Sequence, residues 1–534
     1  MKRDFDQLRS GPFDLLVVGG GIYGAWTAYD AALRGLRVAL VERNDWASAT
    51  SSASSKLIHG GLRYLEQGRL GLVRKTLHER RRLAALGPHR VRPLGFLLPV
   101  HRGDRVGRTR LGLGLWFYDR LAGRDQPVPA HSVLGREELL RRADLVPDGL
   151  RGGFAFGDCV TDDARLTLEI VWGAHAAGAV TLNRVEATRL LVTHGRVGGA
   201  LVEDREGGGS AEVRALATAC TAGPWIGALG ASCAGAQIAT RLTKGVHLVL
   251  PGREQDEALV LSSNDDGRIV FLIPWYGRTL LGTTDTDYVG DARDARVEPA
   301  DVTYLLERTR RALRSPRWSE SDIVASFAGV RTLPATGDAR PSDVTREWSL
   351  AEPAPGLLLS LGGKLTSARA DAAAIVDRVL ERAGWPRRRP PTADLPLPWC
   401  PPVPFEAWRT AATRAGVELG LDEETARTCA GRHGSRLGRV LQRLRREPDL
   451  ARRIVADAPF CRAEIVHAVE EEMARSLEDV LRRRVPLLLL SRPTSQALAD
   501  AAALVGERLG WDAARRRQET DALALGRAAP ASAG

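Results

Sequence analysis

This chain of 534 residues has no closely spaced cysteine pair, few lysines and no long apolar run. No two cysteines form a CxxC or other close pair, which argues against a structural zinc site, an iron–sulfur cluster and a disulfide framework. The cysteines are Cys159, Cys220, Cys233, Cys400, Cys429 and Cys461. We therefore expect no metal in this protein.

The N-terminus gives no sign of secretion, and no apolar run is long enough to cross a membrane. Residues 1–12 are charged and lack the apolar segment of a secretory signal. No stretch reaches the roughly 18 apolar residues of a spanning helix. We expect a protein that is soluble or lies on a membrane surface.

Lysine accounts for only five of the 76 basic residues, so arginine carries the generic positive charge. Because an ammonium group and a guanidinium group differ chemically, Lys56, Lys244 and Lys364, which fall inside motifs, point weakly to functional sites. The net charge of +11 suggests an anionic partner. It does not choose among nucleic acid, anionic lipid and a phosphorylated metabolite.

Length and local composition predict several domains. Residues 384–404 are rich in proline and arginine and predict a linker. Residues 405–515 have a helical pattern without strand-like runs, and residues 516–534 are expected to form a flexible tail.

A glycine turn follows the first strand-like segment. Gly19, Gly21 and Gly24 have the GxGxxG spacing, and a second strand closes on Glu42. In such a βαβ unit the glycines allow a tight turn, close approach of a pyrophosphate and helix–strand packing. The carboxylate of Glu42 suits ribose hydroxyls and repels a 2′-phosphate, which disfavours NADP. The alternative is a strand–helix turn without a ligand.

The position of this turn favours FAD over NAD. It lies at the extreme N-terminus, and a second apolar turn ends at Gly223. That second turn resembles the other dinucleotide-contacting segment of two-domain flavoproteins.

Several further motifs occur in register along the chain. The longest is the tract from Thr50 to Glu66, TSSASSKLIHGGLRYLE, which resembles the flavin-adjacent segment of the FAD-dependent glycerol-3-phosphate dehydrogenases. The other matching segments begin at Asp162, Lys244, Ile273, Gly282, Gly329, Gly362, Ile465 and Leu477. The resemblance covers residues 13–490 and is far more specific than one glycine loop.

This resemblance implies an α/β fold with three parts. The first is a Rossmann-like FAD-binding domain of the glutathione-reductase or D-amino-acid-oxidase type, formed by residues 13–62, 155–240 and 330–384. The second is an antiparallel-sheet substrate domain formed by residues 63–154 and 241–329. The third is the C-terminal all-α cap.

The implied reaction is oxidation of sn-glycerol 3-phosphate to dihydroxyacetone phosphate, with hydride transfer from C2 to N5 of FAD and electrons passed to a membrane quinone. For the phosphate we expect a clamp of Arg63, Arg331 and Lys364, with Tyr64 beside it, because arginine binds two phosphate oxygens at once. Arg331 is also expected to act in catalysis. The alternative is that Arg63 and Arg331 are surface charges.

His247 is the candidate base, because imidazole titrates near the working pH. The alternative is a structural histidine bonded to a backbone carbonyl. His59 is a second candidate, or it holds the isoalloxazine ring. Lys56 is expected to pair with a flavin carbonyl. The other residues expected near the flavin or its pyrophosphate are Thr50, Ser51, Ser52, Leu57, Leu365 and Thr366, with Lys364 shared.

The chain departs from the family pattern at two places. Trp26 replaces a usual glycine, and Ala368 stands where the family has an aromatic residue. We expect these changes to affect the pocket wall and the affinity for FAD.

Residues 100–124 combine arginines with Leu111, Leu113 and the run Trp116–Tyr118. Such a segment fits peripheral attachment to anionic lipid, on the cytoplasmic face of the cell membrane, as the family's bacterial dehydrogenases are attached. The alternative is a half-buried element with snorkelling arginines.

Three other functions stay open. The first is an oxidase of the same fold that passes electrons to O2. The others are an FAD-dependent RNA-modifying protein and a non-catalytic flavin-binding module. Because the arginines are scattered among acidic residues, we expect no nucleic-acid partner. The sequence leaves a homodimer undecided.

Overall fold

The computed structural model describes residues 1–227, 240–252, 256–262, 267–315, 317–334 and 346–525. Its strands are β1 Phe13–Val18, β2 Val38–Glu42, β3 Leu57–Ile58, β4 Val91–His101, β5 Ser132–Leu134, β6 Leu150–Thr161, β7 Val180–Asn183, β8 Val185–Thr193, β9 Arg196–Asp204, β10 Ser210–Cys220, β11 Thr240–Pro251, β12 Ala258–Ser262, β13 Ile269–Trp275, β14 Arg278–Gly282, β15 Thr286–Tyr288, β16 Ala325–Pro334, β17 Ser349–Ala354 and β18 Leu357–Leu361.

The α-helices of the described residues surround these strands and form the C-terminal region. They are α1 Ile22–Leu33, α2 Arg63–Glu66, α3 Leu70–Leu86, α4 Arg108–Ala122, α5 Arg136–Arg142, α6 Asp163–Ala176, α7 Pro299–Ala312, α8 Ala368–Arg382, α9 Phe405–Val417, α10 Glu423–His433, α11 Leu437–Arg446, α12 Arg462–Glu472, α13 Leu487–Leu490, α14 Ser495–Leu509 and α15 Ala513–Leu525.

The first sheet has the order β17-β18-β10-β1-β2-β7, with β8 and β9 attached to β10. Strand β1 runs parallel to β2 and β10, and β18 runs parallel to β10. Parallel strands are covered on both faces, which explains why β1 is almost wholly apolar and buried. The segments that follow β1, β2 and β10 therefore meet at one edge of the sheet. The predicted Rossmann-like architecture is confirmed.

The second sheet has the order β15-β11-β14-β13-β12-β4-β6-β3, with β16 on β11 and β5 on β6. Its pairings are antiparallel except that of β12 with β4. Arg331 lies opposite Thr243, and His247 lies opposite Phe327 and Gly282. The predicted antiparallel domain is confirmed.

Three strands at or near the expected domain boundaries pair in the second sheet. Strands β3, β6 and β16 belong to the second sheet, so the boundaries expected at 62, 155 and 330 cut through it. The boundaries at 155 and 330 fall inside β6 and β16, where no change of composition marks the end of a domain. The division is otherwise still a prediction.

The predicted helical region after residue 404 is confirmed, with one correction. Helix α15 occupies residues 513–525, so the prediction of a flexible tail is wrong for residues 516–525, and the rest of that tail lies outside the described residues. In the predicted linker, Leu397 and Trp399 are buried against the first domain. Cys233 also lies outside the described residues.

Candidate active site

A cavity of about 1210 Å³ lies where the edge of the first sheet meets the second sheet. Its wall has three parts. The glycine end includes Gly19, Gly21, Glu42 and Ser51. The cationic cluster is Arg63, Arg331, Arg346 and Lys364. The apolar arm includes Leu98, Leu111, Leu113, Phe117 and Phe271.

At the glycine end, the backbone approaches its neighbours too closely for side chains. A Cβ on Gly19, which has a φ of +110°, would lie 2.8 Å from the carbonyl oxygen of Thr221. A Cβ on Gly24 would lie 1.9 Å from the carbonyl oxygen of Gly19. Helix α1 begins at Ile22, whose N–H donates to Oγ of Ser51 over 2.9 Å. The N-terminus of α1 thus faces the cavity, where its dipole favours an anion.

Glu42 ends β2 and lines the same end of the cavity. Its carboxylate accepts hydrogen bonds from the N–H of Gly20, over 2.6 Å, and of Asn44, over 2.8 Å. Burial raises the pKa of Glu42, and these two bonds counter the rise. The carboxylate is held at the strand end, as ribose recognition requires.

A shared carboxylate organises two members of the cationic cluster. Arg331 donates to Oδ1 of Asp285 over 3.3 Å and to Oγ1 of Thr283 over 3.2 Å. Arg346 donates to Oδ2 of Asp285 over 2.5 Å and to Oη of Tyr64 over 3.4 Å. Asp285 therefore holds both guanidinium groups at the cavity wall.

Lys364 completes the cluster. Its Nζ lies 3.6 Å from the ring centroid of Tyr64, and no carboxylate of the described residues pairs with it. Gly362 and Gly363 precede it with positive φ, and a Cβ on Gly363 would lie 1.8 Å from Oη of Tyr23. The two glycines therefore bring the lysine backbone close to the cavity.

Burial and mutual repulsion shift the pKa values of these groups. Burial lowers the pKa of Lys364 to about 8, and burial together with Arg346 lowers the pKa of Arg331 to about 10. Burial alone would raise the pKa of Tyr64, but the charges of Lys364, Arg346 and Arg63 outweigh it and lower the value to about 7. The cluster carries an excess of positive charge that an anionic ligand would balance.

His59 lines the cavity beside this cluster. Its N–H donates to Oγ1 of Thr366 over 3.1 Å, which fixes the backbone at that point. Burial, then the charges of Lys364 and Arg63, lower the pKa of His59 to about 3. The imidazole is therefore neutral near neutral pH.

The structure does not bring His247 to the cavity wall. Its ring is fully buried, stacked on Phe327 with centroids 5.0 Å apart, and its Nε2 lies 2.8 Å from Oγ of Ser55. A Cβ on Gly282 would lie 2.2 Å from the ring, so the strands on both sides of β11 enclose it. The predicted role as a base in contact with substrate does not agree with this placement.

Lys56 also differs from its expected role. Its Nζ lies 2.6 Å from Oδ1 of Asp163 and 2.7 Å from the carbonyl oxygen of Ser52. Both side chains are buried. Since a buried ammonium group requires a partner of opposite charge, this ion pair accounts for the position of Lys56. The ammonium is therefore not directed at a flavin carbonyl.

Most of the predicted site residues come together at this cavity. Those in its wall are Gly19, Gly21, Glu42, Thr50, Ser51, Leu57, His59, Arg63, Tyr64, Gly223, Arg331, Lys364, Leu365 and Thr366. Those outside the wall are Gly24, which packs on the glycine turn, Ser52, Lys56 and His247. The individual roles are still predictions.

Four further residues need comparison with the sequence predictions: two that depart from the family pattern and two that were not predicted. Trp26 and Ala368 share a buried apolar cluster and do not line the cavity, so the expected change in its wall is absent there. Asp285, which ends the motif that begins at Gly282, and Arg346 are not among the site residues predicted from the sequence. No local motif distinguishes Arg346 from the other arginines.

Known proteins resemble the chain over nearly its whole length. The family model "FAD dependent oxidoreductase" matches residues 14–369, and the model "C-terminal domain of alpha-glycerophosphate oxidase" matches residues 392–516. The glycerol-3-phosphate dehydrogenase of Mycobacterium leprae is 36% identical over 94% of this chain and 86% of that protein. The aerobic glycerol-3-phosphate dehydrogenase of Bacillus subtilis is 34% identical over 96% of this chain and 94% of that protein.

A solved structure shares the fold. The glycerol-3-phosphate dehydrogenase of Bacillus halodurans, complexed with FAD, aligns with a TM-score of 0.80 at 28% identity, over 97% of this chain and 95% of that one. The glycine turn, the start of α1 and the carboxylate of Glu42 fit such a dinucleotide, and FAD is the cofactor of this chain. The chain belongs to the FAD-dependent glycerol-3-phosphate dehydrogenase family.

Proposed function

We propose that this chain oxidises sn-glycerol 3-phosphate to dihydroxyacetone phosphate. The observation that carries the proposal is the excess positive charge of the cationic cluster, in the same cavity as the glycine turn. Bound FAD supplies the hydride acceptor at its N5. The names of the relatives agree with this substrate.

The cluster would bind the phosphate group. Arg331 and Arg346 present guanidinium forks that suit two phosphate oxygens each, and Asp285 orients both. Lys364 adds an ammonium group without a carboxylate partner among the described residues. Placing the dianion here would hold the C2 hydroxyl in the part of the cavity beside His59.

His59 would take up the proton from the substrate hydroxyl. Its neutral ring stands in the cavity wall, whereas His247 does not. The free protein holds the pKa of His59 at about 3, mainly by burial and then by neighbouring cations. Since a bound dianion offsets those cations, substrate would raise this pKa and make the ring a better base.

For the electron acceptor we favour a quinone at a membrane surface. The apolar arm runs along α4, and its residues Leu113 and Phe117 are 57% and 45% exposed, so it opens on an apolar surface. Trp116 is exposed beside them, and arginines flank the helix. Such a surface suits a lipophilic acceptor and anionic lipid. Among the described residues, no helix is both long and apolar enough to cross a membrane.

Anaerobic reduction tests the reaction. Glycerol 3-phosphate should bleach the flavin band at about 450 nm, and glycerol without phosphate should not. Failure of excess glycerol 3-phosphate to bleach the band would remove the proposal. Once the flavin is reduced, rapid reoxidation by a short-chain quinone without hydrogen peroxide would support the dehydrogenase, whereas peroxide formation in air would favour an oxidase.

Sedimentation with lipid vesicles tests the membrane surface. Vesicles containing phosphatidylglycerol should bind the protein, and Trp116→Ser with Phe117→Ser should weaken that binding about tenfold or more, since each buried aromatic group contributes on the order of 1–2 kcal/mol. Trp385→Ser is the matched control, because Trp385 is also exposed but lies after α8. Equal binding of all variants would reject this face as the attachment site.

A further inference from the structure

Ser55 and His247 form a hydrogen-bonded pair that extends from the cavity wall into the second sheet. Ser55 lines the cavity, and its Oγ lies 2.8 Å from Nε2 of His247 behind it. Ser55 makes no other hydrogen bond with the described residues. Among the described residues, the hydrogen bond to Ser55 is therefore the one that joins the side chain of His247 to the cavity wall.

The surroundings of His247 determine which ring nitrogen carries the proton. Its Nδ1 is buried and has no hydrogen-bond partner among the described residues. A buried N–H without an acceptor loses its hydrogen bonds to water and gains none, and such orphaned donors are rarer than bare acceptors. The proton therefore belongs on Nε2, from which it is donated to Ser55. Burial and the charges of Arg331 and Lys56 lower the pKa of His247 well below its usual value, which keeps the ring in this neutral form.

This arrangement determines the direction in which the hydroxyl group of Ser55 donates its hydrogen bond. Because Oγ accepts from His247, the O–H must donate to a different group, and the open side of Ser55 is the cavity. We infer that His247 is a positioning residue that orients Ser55 as a hydrogen-bond donor to an acceptor atom of the cavity's occupant. The acceptor is an oxygen of the phosphoester alcohol or an oxygen or nitrogen of the flavin ring. His247 is then not the base.

The inference rests on the proposed function, and a double-mutant cycle tests it. The holoenzyme variants are Ser55→Ala, His247→Leu and the double variant, with His247→Gln as a replacement that keeps an N–H group. Three quantities are measured: the reduction potential of the substrate-free flavin, the Kd of glycerol 3-phosphate and the limiting rate of flavin reduction. The matched control is His131→Leu, because His131 lies outside the cavity wall and bonds to Asp119.

We expect Ser55→Ala and His247→Leu to change the same quantity by a similar factor of about tenfold, the usual effect of losing one buried hydrogen bond. The double variant should be no worse than either single variant, and His247→Gln should recover most of the loss. A shift in the potential of the substrate-free flavin assigns the acceptor to the flavin. A change confined to the Kd or the rate assigns it to the phosphoester.

Two outcomes would overturn the inference. Effects that multiply in the double variant would show that the residues act separately. Slow reduction in His247→Leu with a normal Ser55→Ala variant would return His247 to the role of base. If His247→Leu does not retain FAD, His247→Met, which also lacks an N–H group, takes its place in the cycle. Bleaching of the wild-type flavin by glycerol 3-phosphate separates failure of this inference from failure of the proposed function.

Discussion

Two regions of this molecule, one half-buried and one buried, contain arginines beside carboxylates, and they differ in charge balance. The first is the cationic cluster. The second, termed the interface network, consists of Asp162, Arg165, Arg432, Glu464 and Glu472, between α6 and the C-terminal helices. In the network, each guanidinium group pairs with a carboxylate. In the cluster, Arg331 and Arg346 share the carboxylate of Asp285.

This difference separates a structural site from a ligand site more clearly than burial or residue type does. In the interface network, Nη1 of Arg165 lies 2.8 Å from Glu472, and Nε of Arg432 lies 3.1 Å from Glu464. His433 also bonds to Glu464, over 3.0 Å. These carboxylates are satisfied by protein cations and need no ligand. The cluster is complete only when an anion enters.

Removal of a cation from the interface network should have the largest effect. Arg432→Met would leave Asp162 and Glu464 buried with less compensation, and we expect a loss of about 3–5 kcal/mol in the free energy of unfolding. Urea unfolding followed by circular dichroism measures it. The KM of molecules that remain folded should not change, because none of the residues of the network lies in the cavity wall.

Arg427→Met is the matched control, since Arg427 is exposed on the same helix, α10. It should change stability by less than about 0.5 kcal/mol. Equal losses in the two variants would show that charge balance does not matter at this interface.

Removal of a cation from the cationic cluster should instead affect binding. We expect Arg331→Ala to raise the KM for glycerol 3-phosphate about 100-fold, within the 2–5 kcal/mol typical of a buried charged partner. Thermal stability should not fall, because the change relieves repulsion from Arg346. Steady-state kinetics with a quinone analogue and a thermal melt measure both quantities.

The control for this variant is Arg141→Ala, which removes an exposed arginine outside the cavity wall. An unchanged KM in Arg331→Ala would reassign Arg331 to a structural role. A large drop in melting temperature would mean that the cluster is stabilising, like the interface network.

The sequence predicts those features of the site whose residues lie close together along the chain. The glycine turn, β2 ending at Glu42 and the motif that contains Arg331 are local patterns, and the parallel sheet follows from the βαβ unit. The partners of Lys56 could not be predicted, because Asp163 lies 107 residues away. The same holds for Arg346, which meets Tyr64 across 282 residues.

His247 shows a second limit of sequence. Strand alternation places its side chain on one face of β11, but the neighbouring residues on that strand are buried on both faces. The pattern therefore cannot say which face borders the cavity. The face that borders the cavity is determined by the pairing of β11 with β14 on one side and β16 on the other.

The smallest of these effects is the pH dependence of substrate binding. The pKa of Tyr64 is about 7 and that of Lys364 is about 8. Deprotonation of Tyr64 adds negative charge and deprotonation of Lys364 removes positive charge, so both weaken binding of a phosphate dianion as pH rises. We expect the Kd of glycerol 3-phosphate to increase about tenfold from pH 7 to pH 9, the effect of one lost charge interaction of about 1.4 kcal/mol. Calorimetric titration measures it.

The variant Tyr64→Phe with Lys364→Arg should flatten this dependence, because neither replacement titrates in that range. The interface network provides the contrast. Burial would raise the pKa of Glu464, but His433 and Arg432 lower it to about 2. Its stabilising effect is therefore complete above about pH 4.5 and is lost only as pH falls toward 2. An equally steep rise of Kd in the double variant would show that binding does not depend on the charge state of the cationic cluster.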